Sequence, residues 1–217
     1  MMPHTLPVIY RGHIKMYQLY TIGHSTHSTE EFVKLLSIHS ITAVCDVRSS
    51  PYSKYNPQFN RETIQKELKL YGILYVFLGK ELGPRSDDPA CYEDGKIQYN
   101  RLAKTGLFRQ GIDRIRKGMK SYRIALMCSE KDPMTCHRSI LICRHLRSDE
   151  IEIKHILEDG TAENNRDSET RLMRMLNVPQ RELFDSEEDL IQRAYDKQSE
   201  KIAYIKKTSE VSETSEV

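Results

Sequence analysis

The chain has 217 residues, 38% hydrophobic and 29% charged, and its 33 Lys and Arg against 31 Asp and Glu leave a formal charge of only +2. That size accommodates one globular domain with extensions, and the near-cancelled charge excludes the strong basic excess of a dedicated nucleic-acid binder. Five cysteines, an odd number spread over a medium-sized chain, argue for reduced thiols in a cytoplasm rather than a disulfide framework.

Residues 1–15 are mixed in character and read as an N-terminal extension, without the apolar core of a secretory leader; no apolar stretch reaches membrane-spanning length. Tyr17 to Ile22 is apolar, aromatic and β-branched, a buried strand ending at Gly23-His24-Ser25-Thr26. Ser28 and Glu31 have capping-box spacing, and Phe32, Leu35 and Leu36 give the following helix its apolar face. A second strand, Ile41 to Val47, runs into Asp46-Val47-Arg48 and a loop rich in Ser, Pro, Asn and Tyr. Asn60 is placed to cap a second helix, with Ile64, Leu68 and Tyr71 on one side, which Gly72 stops.

Ile73 to Leu78 is a third strand, followed by a long connection to about Tyr99 of the length usual for a functional loop. Leu102 to Gly118 reads as one helix, with Leu107, Phe108, Ile112 and Ile115 buried. Its other side is basic through Arg101, Lys104, Arg109, Arg114, Arg116, Lys117 and Lys120. Ile124 to Met127 is the fourth strand, a helix from Pro133 or Cys136 to about Leu146 follows, and Glu150 to Ile156 is the fifth strand. Strands alternating with helices predict a three-layer α/β/α fold with a mostly parallel, roughly five-stranded, Rossmann-like sheet over residues 16–160. Residues 161–207 form a charged C-terminal extension with a short helix near Arg171 to Leu176 and a longer one over residues 187–207, and 208–217 read as a disordered tail.

Reactive side chains gather at the carboxyl ends of these strands: His24 and Ser25, Asp46 and Arg48, Cys128 and Glu130, and His155. In a parallel sheet those ends share one edge, where ligands bind. Cys128 and Cys136 permit three readings there. One is a reactive thiol, favoured by a helix N-terminus with His137 and Arg138 nearby and with His24 or His137 transferring protons. Another is a Zn or Fe module drawing on Cys128, Cys136, His137 and His155; the spacing is not Cys-x-x-Cys, so no residue is assigned as a metal ligand on that ground. The third is plain packing. A phosphatase loop is excluded, because the residue six after Cys128 is Met134 and six after Cys136 is Ile142. Gly23 and Ser25 at a strand–helix joint, with Arg48 and Arg138 as bidentate donors, point to an anion, and Glu130 and Asp46 would orient the cations.

Tyr20-Thr21-Ile22-Gly23-His24-Ser25, Asp46-Val47-Arg48, Asn56-Pro57-Gln58-Phe59-Asn60, Met127-Cys128-Ser129-Glu130 and Cys136-His137-Arg138 together resemble the domain of unknown function 488 family, in order and spacing, over Tyr17 to Gly160. Ser129 stands where that pattern has a smaller residue. The resemblance implies a compact α/β domain whose shared polar set includes these residues, Asn56 and Asn60 among them as substrate-contacting groups. It carries no mechanism and names no cofactor. The leading expectation is an enzyme for a small phosphate-bearing or nucleotide-like substrate. The alternatives are the Cys/His metal module and a nucleic-acid-associated protein using the basic helix, with Tyr52 and Tyr55 as stacking rings.

Overall fold

Residues 9–11 and 14–206 are described in the computed structural model. The five predicted strands form: β2 (Ile14–Gly23), β3 (Ala43–Asp46), β4 (Leu74–Phe77), β7 (Ile124–Cys128) and β8 (Ile151–Ile156). They lie parallel in the order β4-β3-β7-β2-β8, and β9 (Ala162–Asn164) adds an antiparallel edge beside β8. A short hairpin strand, β1 (Ile9–Arg11), pairs with the start of β2, so regular structure begins inside the segment read as an irregular extension. The region read as a disordered tail lies outside the described residues.

Strand side chains alternate between two cores. Tyr20, Ile22, Val44, Ala125 and Met127 face α1 (Thr29–Ile38) and α2 (Arg61–Leu70). Leu19, Ala43, Cys45, Ile124, Leu126, Cys128 and Ile153 face the opposite layer. That layer contains α3 (Gly79–Leu82), α4 (Tyr99–Leu102), α5 (Gly106–Gly118), α6 (Arg144–Leu146), α7 (Asn165–Met175) and α8 (Glu187–Ile202). The three-layer α/β/α architecture is therefore present. Within the long connection after β4, β5 (Tyr92–Glu93) and β6 (Lys96–Ile97) make a small hairpin.

Local signals explain most boundaries. Ser28 and Glu31 close a reciprocal capping box on α1. Gly72, at φ +71°, ends α2 while the Ile73 amide donates back to Leu68, a Schellman closure that needs a left-handed residue. Three expectations are corrected. The single helix over 102–118 is two, because Thr105 leaves the helix and its hydroxyl accepts from the Phe108 amide to start α5. Leu107 consequently faces solvent at 50% exposure, and Gly111 takes its place on the buried side. The helix after β7 begins as a 3₁₀ turn (Pro133–Thr135) and continues as a π segment (Arg138–Cys143) before α6; such wide turns recur at functional sites. The polar residues after 160 include β9 and α7, and α7 and α8 pack into the same core as β8 and the π segment.

β2 and β3 lead into α1 and α2 on one face, whereas β7, lying between them, leads into the π segment on the other. Neighbouring chains thus part at the carboxyl end of β7, which opens a crevice at that edge.

Candidate functional site

The crevice is built first by backbone. The amides of His24, Ser25 and Val47 donate to the carbonyls of Cys128, Ser129 and Met127, extending sheet pairing past the strand ends. The loop after β7 crosses directly over Gly23, so closely that a Cβ there would stand 1.9 Å from the Glu130 carbonyl oxygen. Ser25 is held in the left-handed region at φ +46°, a conformation that costs a non-glycine residue energy. Arg138 is completely buried beneath this loop. Its guanidinium donates to the carbonyls of Glu130 (2.5 Å) and Lys131 (3.0 Å) and to the Thr21 hydroxyl (3.3 Å). Its guanidinium is thus engaged by two backbone carbonyls and one hydroxyl of the protein itself.

With the loop fixed, four side chains converge. The Cys128 and Cys136 thiols donate to the same oxygen of Glu130, Oε2, at 2.9 and 3.0 Å. His137 turns its Nδ1 toward both sulfurs, at 3.5 and 3.9 Å, because its Nε2–H donates to the Val47 carbonyl at 3.0 Å. The four potential ligand atoms all lie within 4.8 Å of one another. Burial and the adjacent Cys128 push the Cys136 thiol well above its ordinary pKa. Burial opposes ionisation of Glu130, yet the two thiol hydrogen bonds and the His137 charge hold its carboxyl down at about 2. For His137 burial alone would lower the pKa, but Cys136 and Glu130 raise it above its usual value.

A second buried cluster lies on the α1–α2 side of the same edge. Arg48 forms a bidentate pair with Asp46, Nε to Oδ1 at 2.9 Å and Nη2 to Oδ2 at 2.6 Å, and also donates to the Phe59 carbonyl. Tyr75 donates its hydroxyl to Asp46 Oδ2 at 2.8 Å. His24 stacks on Phe59 with ring centroids 4.3 Å apart and accepts at Nε2 from Arg48 at 3.1 Å, its Nδ1–H donating to the Ser25 carbonyl. Burial and the Arg48 charge lower the His24 pKa to about 4, so the ring is neutral. Arg48, Ser49, Arg85, Cys128, Glu130 and His137 line a crevice of about 110 Å³ between the two clusters. A larger cleft of about 400 Å³ opens beside Arg147, Asp149 and Glu152, where Arg147 is already taken up by Glu169 and Glu188.

Of the residues singled out in the sequence, His24, Asp46, Arg48, Cys128, Glu130, Cys136 and His137 come together at this edge. His155 does not join them. Its ring is buried between Thr21 and Ser139 on one nitrogen and Asn165 on the other, so Glu130 occupies the place the metal reading gave to His155. Asn60 flanks α2 without capping it; its side-chain oxygen accepts from the Ser53 amide and shapes the loop, as Asn56 does through its amide to the Ser53 hydroxyl. The basic helix face is largely engaged: Arg101 pairs with Glu93, Arg114 with Glu81 and Arg116 with Asp113, while Arg109 donates to the Lys104 carbonyl. No helix among the described residues is long and apolar enough to cross a membrane.

Several contributors have no sequence signal of their own. Asp132 accepts from the Met134 amide and receives both guanidinium nitrogens of Arg171, each at 3.0 Å. Gln198 donates to the Met134 carbonyl at 2.7 Å. Both partners come from α7 and α8, 39 and 64 residues away in sequence.

Fold and site together define a parallel-sheet α/β protein with a Cys₂-His-Glu cluster at the carboxyl edge of its central strand. Residues 28–144, more than half of the chain, match the family model described as Domain of unknown function DUF488, and the chain belongs to that family. The match covers Asp46, Arg48, the Asn56–Asn60 segment and all four cluster residues; Gly23, His24 and Ser25 precede it and His155 follows it. No curated protein and no solved structure matches the chain.

Proposed function

We propose that Cys128, Cys136, His137 and Glu130 form a metal centre, with zinc as the fitting ion and iron as its competitor. One observation carries this reading: two sulfurs, an imidazole nitrogen and a carboxylate oxygen from four residues lie within 4.8 Å of one another. Tetrahedral zinc, with bonds of about 2.3 Å to sulfur and about 2.1 Å to nitrogen and oxygen, sets ligand atoms roughly 3.5–3.8 Å apart. The sulfur–nitrogen separations of 3.5 and 3.9 Å are close to that cage, the sulfur–oxygen separations of 2.9 and 3.0 Å need an outward shift of the Glu130 carboxylate, and the widest separation in the group, up to 4.8 Å, needs a contraction around the ion.

The remaining chemistry supports it. The Nε2–H of His137 is tied to a backbone carbonyl, which leaves Nδ1 as the free ligand nitrogen and fixes the ring. Mixed thiolate and imidazole donors suit zinc, and ligation removes the thiol protons that burial otherwise retains. An activated nucleophile at Cys136 is poorly served, since that residue is buried and its thiol pKa is pushed upward.

The full chain, expressed without added metal and analysed for bound elements, should carry close to one equivalent of zinc or iron. Cys128→Ser and Cys136→Ser should each lose most of it. A metal-free wild-type protein that keeps the same thermal midpoint after addition of zinc would refute the centre.

A further inference from the structure

Resting on that metal centre, we infer that it is an open site, which takes a small oxyanion or carboxylate at the metal in place of Glu130. Three ligand residues are walled in, with Cys128 at 3%, Cys136 at 1% and His137 at 4% exposure. Glu130 alone is exposed, and it stands at the crevice. The Glu130 backbone is pinned by Arg138 from below and by Gly23 from the side. Its side chain can therefore swing outward without moving the loop, and a vacated position faces solvent, the arrangement that separates reactive metal sites from closed structural ones.

The crevice itself selects the ligand. At about 110 Å³ it has room for a phosphate-sized oxyanion or a short carboxylate, and any larger group attached to that anion would project from the open mouth. Arg48 lines its inner wall, although Asp46 offsets that charge. Arg85 lines the mouth. Its guanidinium is exposed and carries no carboxylate partner among the described ion pairs, while it is steadied 4.3 Å above the Tyr204 ring, and its amide donates to the Ser49 hydroxyl. A cation at the mouth and a metal at the base favour an anion. Tyr204 belongs to the stretch after α8, so the C-terminal region contributes to this mouth.

Cobalt(II) loaded into the metal-stripped full chain, followed by visible absorption, tests this with inorganic phosphate as the probe. Intense sulfur-to-cobalt charge-transfer bands report the centre, and saturable displacement of the weaker ligand-field bands by phosphate reports the open position. Arg85→Ala should keep the charge-transfer bands and weaken phosphate binding about tenfold. Absence of charge-transfer bands in the wild type would overturn the metal centre itself. A normal cobalt spectrum that phosphate leaves unchanged would overturn the open site alone.

Discussion

Gly23→Ala is the sharpest test of how the site is assembled. A methyl at this position would stand 1.9 Å from the Glu130 carbonyl oxygen and 2.8 Å from its carbonyl carbon, where ordinary contact begins near 3.4 Å. Both obstacles are backbone, so no side chain can rotate away, and the loop must retreat by about 1.5 Å. Overpacking of this kind costs about 1–3 kcal/mol. The retreat also withdraws the Glu130 carbonyl from Arg138, whose fully buried guanidinium donates to it at 2.5 Å, adding about 1.5–3 kcal/mol for a charged hydrogen bond. A total of about 2.5–6 kcal/mol corresponds to a fall of roughly 5–24 °C in the thermal midpoint for a domain of this size. Urea and thermal unfolding should show that loss together with reduced metal content. Gly106→Ala serves as the control, since its added Cβ meets nothing within 4 Å. If Gly23→Ala unfolds within about 0.5 kcal/mol of the wild type and retains its metal, the close approach does not organise the site.

Burial, followed by the nearby Arg138 charge, lowers the His155 pKa from 6.5 to about 4. The ring is thus neutral in the fold but protonates in the unfolded chain below 6.5. Stability is full above that pH and declines as pH falls toward 4, by at most about 3 kcal/mol for this group. Urea midpoints measured from pH 7 to 4.5 should drop less steeply in His155→Gln, and parallel curves would count against the assignment. Gln198→Leu leaves the buried Met134 carbonyl without its donor, which should cost about 1–3 kcal/mol and weaken zinc binding in chelator competition; unchanged zinc affinity would mean that α8 does not position the ligand loop. Arg138→Lys should be more damaging, because one ammonium cannot reproduce the planar fork that reaches two carbonyls and Thr21. A variant as stable as the wild type would refute that role.

The sheet was legible because its strands are short β-branched and aromatic runs closed by turn formers, and five of them fall where periodicity places them. Their shared carboxyl edge followed from topology, which is why residues as distant as His24, Asp46 and Cys128 could be assigned to one region. Side-chain partners were not legible. His155 lies on the same face of the sheet as Cys128, but two strands away across β2, where Thr21, Ser139 and Asn165 hold its ring. The grouping of Cys128, Glu130, Cys136 and His137 has no fixed-spacing signature, since a strand end, an irregular loop and the entry to a π segment supply the atoms. Gly23 was visible as a residue free to approach other groups, but its neighbour proved to be the chain's own Glu130 carbonyl. Arg171 and Gln198 were beyond sequence reasoning, because their contacts depend on how helices that follow Asp132 and Met134 by 39 and 64 residues fold back.

That long reach sets an order of events during synthesis. The ligand loop is complete at His137, but its clamp at Met134 waits for Gln198, 64 residues later. At roughly 5–20 residues per second, the interval is about 3–13 s. For that time the nascent chain presents two unligated cysteines and a histidine on an unfinished edge, exposed to oxidants and to whichever metal the surroundings offer first. For the proposed metal centre, the identity of the ion would then be set partly by what is abundant at the ribosome, and a cell-free translation with a zinc chelator present during synthesis, compared with one given the chelator afterwards, would separate capture from exchange.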